Sequence, residues 1–324
     1  MDGGMMIMKE LKCSMKQEEP ILVAIHCLVY NHEPYLRDCL EGFVMQQTKF
    51  PFVAIVHDDA STDNSAAIIR EYEEKYPDII KPIYETENQY SKRDGSLGRI
   101  MNAAIDATGA KYVAMCEGDD YWIDPLKLQK QVDFMEANPE YSMCFHKVDI
   151  LSPDVKDIGL YDHLCEREYS AYKIYDKWSI PTCSVLYNRH KLKLQRPQKC
   201  LFGDVVLFLS LANGGKLFCL DFIGGVYRRH DGGASVGWSN EKYFALYHQY
   251  KEMEKLFPNV KEISTRRKNE FLSYVIHDQN SKNTWKYRFL YMWENKKLFC
   301  SYFFTTTILT YMIKPFIRKY FKKK

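Results

Sequence analysis

The sequence predicts an α/β fold: a doubly wound, mostly parallel sheet followed by a helical C-terminal extension. Two observations carry this. Short apolar runs alternate with helix-period segments between residues 21 and 116 in a βαβαβαβ order, the pattern of a parallel sheet with crossover helices. Two of those runs also close on carboxylate clusters. FVAIVHDDASTD ends in Asp58 and Asp59, and KYVAMCEGDDYW ends in Glu117, Asp119 and Asp120. Ligands of open α/β sheets bind in the crevice beyond the carboxyl ends of the strands, so both clusters are expected to face one crevice. Gathered carboxylates repel each other unless something positive joins them, and hard oxygen ligands suit Mg²⁺ or Mn²⁺, which bridge phosphate groups. The pattern points to a metal-bound nucleotide.

The elements follow in order. ILVAIHCL, residues 21–28, reads as the first strand. Tyr30 and Asn31 make a turn, and Pro34 fits the first turn of a helix, where its missing N–H costs nothing. Leu36, Leu40, Phe43, Val44 and Gln47 then share one helical stripe. A strand at 52–57, a helix from Asn64 to Lys75, a strand near IIKPIY, a helix around LGRIMNAAIDAT stopped by Gly109, and a strand at 111–116 complete the alternation. Pro125 opens a helix, PLKLQKQVDFMEAN, which Asn138-Pro139 closes. Residues 149–180 lose periodicity and read as an irregular excursion. SVLYN reads as a short strand, GDVVLFLSLANGG as a helix with a glycine stop, and KLFCLDFIGGVYRR as a hairpin-like pair of strands. The expected organisation is an arm at 1–19, a nucleotide-binding domain at 20–235, a helical extension at 236–296 and an amphipathic basic tail at 297–324.

Composition narrows the function classes. Hydrophobic residues make up 46% of 324 residues and the net charge is only +3, a folded globular balance that gives no reason to expect nucleic acid. Ten cysteines fall singly, Cys27, Cys39, Cys116, Cys144 and Cys219 among them inside apolar runs, without CxxC pairs; reduced cytosolic thiols are expected. The N-terminal stretch lacks the basic start and apolar core of a signal peptide. Neither GxxxxGK[ST] nor GxSxG nor HExxH occurs, and the first strand leads into CLVYNHEP rather than a glycine-rich loop. In the tail, the uncharged run from Leu298 to Ile313 falls short of the roughly 20 residues of a spanning helix. Arg318, Lys319, Lys322, Lys323 and Lys324 follow it, a combination suited to an anionic membrane surface. A helix docked on the protein with a solvated basic end is the alternative reading of the same stretch.

Five segments in one order, YNHEPYLRDCLEGFVMQQ, DDASTDNS, EGDDYWIDPLKLQKQ, FGDVVLFLSLANGG and YRRHDGG, resemble the family 2 glycosyltransferases with a GT-A fold, especially bacterial members that build cell-surface polysaccharides. The likeness covers about residues 20–235. It implies inverting, metal-dependent transfer of a hexose or N-acetylhexosamine from a nucleotide diphosphate sugar, most simply a UDP-sugar, to a hydroxyl of a surface glycan or lipid-linked acceptor. The place of work would be cytoplasmic, at the inner face of the membrane. The resemblance sets Tyr30, Asn31, Asp58 and Asp59 at the nucleoside. Arg99 and Asn102 lie on the helix just before the acidic strand, where they could reach a phosphate, although an exposed polar helix face explains them as well. It gives the divalent metal to Asp119 with Glu117, Asp120 and His230, and the catalytic base to Asp204. The adjacent Arg228 and Arg229 could meet phosphate charge. Glu117 departs from the family pattern, which has aspartate there. Plainer readings stand beside these: YN and DD are also turn and helix-cap chemistry, and Asp204 could simply cap its helix. Two rival functions remain open at this point, transfer to a polyisoprenyl phosphate and a non-catalytic member that binds sugar nucleotide or glycan.

Overall fold

The computed structural model describes residues 19–154, 161–177, 180–193, 200–233 and 239–277. The N-terminal arm and the basic tail lie outside the described residues. Two compact units are present. One takes the chain up to Ser170 with Trp178–Lys193 and Ser210–His230, and the other takes Ala171–Lys177, Leu194–Leu209 and the chain from Asp231.

The first unit is built on a sheet of nine strands among the described residues: β1 (Val23–Val29), β2 (Phe52–Asp58), β3 (Ile80–Tyr84), β4 (Tyr112–Met115), β5 (Tyr121–Trp122), β6 (Tyr141–Leu151), β7 (Arg167–Tyr169), β8 (Leu186–Asn188) and β9 (Lys216–Arg228). Their order is β3-β2-β1-β4-β8-β6-β9-β5, with β7 on β9. The first four strands run parallel. Helices α1 (Leu36–Val44), α2 (Ser65–Lys75) and α3 (Ser96–Thr108) connect them, and α4 (Lys127–Ala137) follows. Covering a parallel sheet on both faces demands near-continuous apolar strands, and β1, β2 and β4 are buried along almost their whole length. Their carboxyl ends share one edge, so Asp58 and the Glu117–Asp120 turn open on the same side.

Beyond β4 the sheet is mixed. β8 is antiparallel to both β4 and β6, β6 is parallel to β9, and β5 is antiparallel to β9. Two expectations change here. The stretch read as a hairpin-like pair is one strand, β9, because Gly224 and Gly225 do not turn; they let neighbours in close. A Cβ on Gly225 would stand 3.0 Å from the Tyr121 carbonyl oxygen, and one on Gly224 would stand 2.8 Å from the His146 ring. The irregular excursion also begins later than expected, since β6 continues to Leu151 and β7 lies within the remainder. Trp122 anchors the centre: it is buried, it packs tilted against Phe43 with centroids 5.0 Å apart, and its indole N–H donates to the Cys183 carbonyl at 2.7 Å.

The second unit holds α5 (Ala171–Lys177), most of α6 (Gly203–Ala212), α7 (Asn240–Leu256) and α8 (Lys261–His277). Tyr175 stacks on Tyr250 at 5.1 Å, and Lys268 Nζ donates to Glu254 at 2.9 Å. Buried Gln249 accepts the Leu201 and Phe202 N–H groups at 2.8 and 3.0 Å and donates to the Phe202 carbonyl at 3.0 Å. That fixes the turn leading into α6. Among the described residues no helix is long and apolar enough to cross a membrane.

Candidate active site

The loops after β1 and β2 are sewn together. Asn31 stands in the left-handed region, φ 56°, where asparagine is among the few tolerated residues. Its side-chain oxygen accepts the Thr62 N–H at 2.7 Å, and its own N–H donates to Ser61 Oγ at 2.9 Å. Glu33 accepts from the backbone and side-chain amides of Asn64 while Asp63 accepts the Glu33 N–H. Asn31, expected at the nucleoside, therefore shapes the loop. Tyr30 beside it is 45% exposed.

Asp58 ends β2, buried, with Oδ1 unpartnered. Asp59, also buried, gives both carboxylate oxygens to backbone amides: Oδ1 accepts the Gln89 N–H at 2.6 Å and Oδ2 the Tyr90 N–H at 3.0 Å. Further lone pairs remain on both oxygens. Arg99 Nη1 donates to the Asp94 carbonyl at 2.8 Å, and Nη2 lies 3.8 Å from the Asp94 carboxylate. The guanidinium expected at a phosphate thus closes the loop in front of its own helix. Asn102 is half-buried on α3.

The acidic turn follows β4. Cys116 and Gly118 donate backbone N–H groups to His26 and Leu28, extending the β1 ladder. Gly118 is required because a Cβ would come within 2.8 Å of His32 Nδ1 and 2.9 Å of Val29 Cγ2. Glu117 is half-buried, and its carbonyl accepts the Cys39 thiol at 3.4 Å and the Asp120 N–H at 3.1 Å. Asp119 points outward: its Oδ2 lies 3.1 Å from His230 Nε2 and 4.0 Å from His32 Nε2. Burial pulls the His32 ring below its ordinary pKa, with Asp119 opposing.

Asp120 does not share this geometry. Its carboxylate is buried, Oδ1 accepts the Arg228 N–H at 2.7 Å and Oδ2 is unpartnered. Burial first, and the Asp119 charge second, push its carboxyl well above the usual range. The carboxylate expected at the metal thus turns inward and gives one oxygen to the β9 backbone. Arg228 is likewise not a free phosphate binder. Only 8% exposed, its guanidinium donates to the Asp119 carbonyl at 2.7 Å and to Asp38 Oδ2 at 2.7 Å, and it lies 5.0 and 4.7 Å from the Tyr35 and Tyr121 ring centroids. Tyr35 in turn packs on His230 at 4.5 Å.

Among the described residues no three His, Cys, Asp or Glu side chains form a cluster that could hold a metal alone. Asp119 and His230 form a pair. Two adjacent ligands of an octahedral Mg²⁺ or Mn²⁺, each roughly 2.1 Å from the ion, stand about 3 Å apart, so the spacing and the donor types suit such an ion with other ligands from outside the protein. Asp204, in the second unit, sits in the first turn of α6, and its Oδ1 accepts the Val205 N–H at 2.8 Å. His32, Tyr35 and Asp38 were missed by sequence reading; the only signal was their place in the segment after the Tyr30-Asn31 turn.

Residues 25–191 match the family profile described as Glycosyl transferase family 2. The chain belongs to glycosyl transferase family 2. An uncharacterized protein of Mycobacterium tuberculosis is 37% identical over 211 residues, 64% of this chain and 59% of its own length. A candidate teichuronic acid biosynthesis glycosyltransferase of Bacillus subtilis, TuaG, is 32% identical, covering 60% of this chain and 73% of its own. The chain thus spans about three fifths of the length of the first of these relatives. Among solved structures, S. aureus TarS in complex with UDP-GlcNAc superposes with a TM-score of 0.58 at 18% identity, over 82% of this chain and 75% of that one. That likeness establishes the GT-A fold.

Proposed function

We propose that the chain is an inverting glycosyltransferase that moves a hexose or N-acetylhexosamine from a nucleotide diphosphate sugar to a hydroxyl of a surface polysaccharide or its lipid-linked precursor. The observation that carries this reading is the meeting of Asp119 with His230 beyond the carboxyl end of β4, in a family 2 chain. Asp119 and His230 would hold a divalent ion, which when bound supplies neutralising charge to the departing diphosphate. Tyr30 and the free lone pairs of Asp59 would face the nucleoside. Asp204 is the proposed base: it takes the proton of the acceptor hydroxyl as that oxygen bonds to the anomeric carbon, while the bond from that carbon to the diphosphate oxygen breaks on the opposite face. The UDP-GlcNAc bound to TarS makes UDP-sugars the donors to test first.

Two variants test it together. Asp119→Ala is expected to abolish transfer and erase the Mn²⁺-dependent part of UDP binding by calorimetry. Asp204→Asn keeps size and capping ability, so it should bind donor normally and lose on the order of 10²–10⁴ in turnover. Unaltered metal-dependent affinity in the first variant, or near-normal turnover in the second, would remove the corresponding assignment.

A further inference from the structure

The three non-glycine residues with positive φ among the described residues are Asn31, Ala60 and Arg93. They stand in the loops after β1, β2 and β3, all at the crevice edge of the parallel strands. Backbone strain of this kind persists where the surroundings enforce it, and it clusters at ligand sites. The loops of Asn31 and Ala60 belong to the nucleotide site already described. The loop of Arg93 has so far no function.

Its construction is unusual for a surface loop. The Glu85 N–H donates to the Asp58 carbonyl at 3.0 Å, and from Asn88 onward the chain turns onto Asp59. The buried Asp59 carboxylate is committed to the Gln89 and Tyr90 amides, Asn88 Nδ2 reaches the Asp59 carbonyl at 3.3 Å, and Gln89 Nε2 donates to Glu85 Oε2 at 3.0 Å. Glu85 is itself 3.3 Å from the buried His57 ring. All this bracing ends on an exposed aromatic ring. Tyr90 is 45% exposed, and the Arg93 guanidinium lies 4.2 Å from its centroid. The Asp59 N–H donates at 2.9 Å to the carbonyl of Val29, the residue before Tyr30. Asp59 therefore ties the Tyr90 backbone to the start of the Tyr30 loop.

We propose that the 88–95 loop is a nucleobase-binding arm in which Tyr90, braced by Arg93, offers an aromatic surface to the flat base of a nucleoside diphosphate, with Tyr30 as its counterpart. It rests on the reading of this crevice as the nucleotide-sugar site. Pre-organising an exposed ring lowers the entropy cost of stacking a ligand on it, and stacking is tolerant of base identity because every base has a π face. Arg93 adds a cation–π brace. The arm accordingly supplies affinity, and discrimination between bases falls to groups that hydrogen-bond their edges.

Calorimetry of the full-length chain with UDP and with uridine tests this. Tyr90→Ala should weaken both by about ten-fold or more, by the same factor, while Tyr90→Phe retains binding. Arg93→Gly places a residue that accepts φ 54° without strain. Its melting temperature should hold or rise while its nucleotide affinity falls, and Arg93→Lys should recover part of the loss. UDP binding by Tyr90→Ala equal to that of the wild-type chain overturns the arm and leaves the transferase reading intact. A wild-type chain that binds neither UDP nor any other nucleoside diphosphate overturns the transferase reading beneath it.

Discussion

Arg228 shows how a residue's neighbours decide its role. A guanidinium beside a site histidine reads, from sequence, as a phosphate binder, yet its donors are already engaged by the Asp119 carbonyl and by Asp38, 190 positions earlier. Such partners leave no periodic trace in the chain. Asp119 was legible because an apolar strand delivers it to a crevice edge, and His230 because a motif carries it. Asp120 was not separable from Asp119: adjacent carboxylates look alike until one is seen to turn inward. Arg228 also lies over the Tyr35 and Tyr121 rings while its fork donates to two oxygens, so lysine, a point charge without a planar fork, is no substitute there. Both Arg228→Lys and Arg228→Ala should weaken Mn²⁺-dependent UDP binding, and the alanine variant should lose roughly 2 kcal/mol of stability from its charge-assisted hydrogen bonds. Denaturant titration with calorimetry checks both numbers. Metal-dependent affinity unchanged in both variants would mean that the turn holds its shape without the clamp.

At the scale of elements, the parallel half of the sheet was legible because burial on both faces writes continuous apolar runs into β1, β2 and β4. The mixed half was not. β9 was misread because a Gly-Gly pair signals a turn in sequence and a close approach in space, and only packing tells the two apart. Helix glycines pose the same ambiguity, which gives a paired prediction. Gly42 in α1 lies against β5: a Cβ there would stand 2.9 Å from the Trp122 amide nitrogen and 3.0 Å from its carbonyl oxygen. These are backbone atoms, so the strand itself would have to move. Gly98 in α3 has nothing within 4 Å of its hypothetical Cβ. For Gly42→Ala the overpacking cost, typically about 1–3 kcal/mol, outweighs the helix-propensity gain of up to about 1 kcal/mol. For Gly98→Ala only the gain remains. Denaturant midpoints should therefore shift in opposite directions, and a stabilised Gly42→Ala would show that α1 and β5 are less tightly apposed than the distances imply.

For the whole molecule, what the sequence could not supply is the division of the chain: the second unit begins at Asp231 and recruits 171–177 and 194–209, segments whose assignment depends on contacts such as Tyr175 on Tyr250 and Gln249 on Phe202. What it did supply, histidines inside apolar strands, sets the acid limit of the fold. His146 in β6 is fully buried, and His26 in β1 is partly buried with its Nδ1 shut off from solvent. Burial pulls His26 down to about 4, against its backbone hydrogen bond. Burial, aided by the Lys127 charge, pulls His146 down to about 3. Below the ordinary value of 6.5 the unfolded chain takes up protons at these two positions that the folded chain refuses. Their contribution to stability is complete above pH 6.5 and is lost as the pH falls through the window from 6.5 to about 4 and 3. The loss amounts to roughly 2 kcal/mol for each histidine by pH 5. Lys127 acts in the alkaline range: burial lowers it to about 7, so above that value the unfolded chain holds the extra proton and stability rises with pH until lysine titrates in the unfolded chain. Asp120, whose carboxyl burial pushes up, opposes these trends wherever the folded chain keeps a proton that the unfolded chain releases. Urea unfolding at pH 7 and pH 5 should show a lower midpoint at pH 5. A chain carrying His26→Asn and His146→Gln should start less stable at pH 7 and lose less on acidification. Equal acid sensitivity in the variant and the wild-type chain would assign the acid limit to the carboxylates and clear the two histidines.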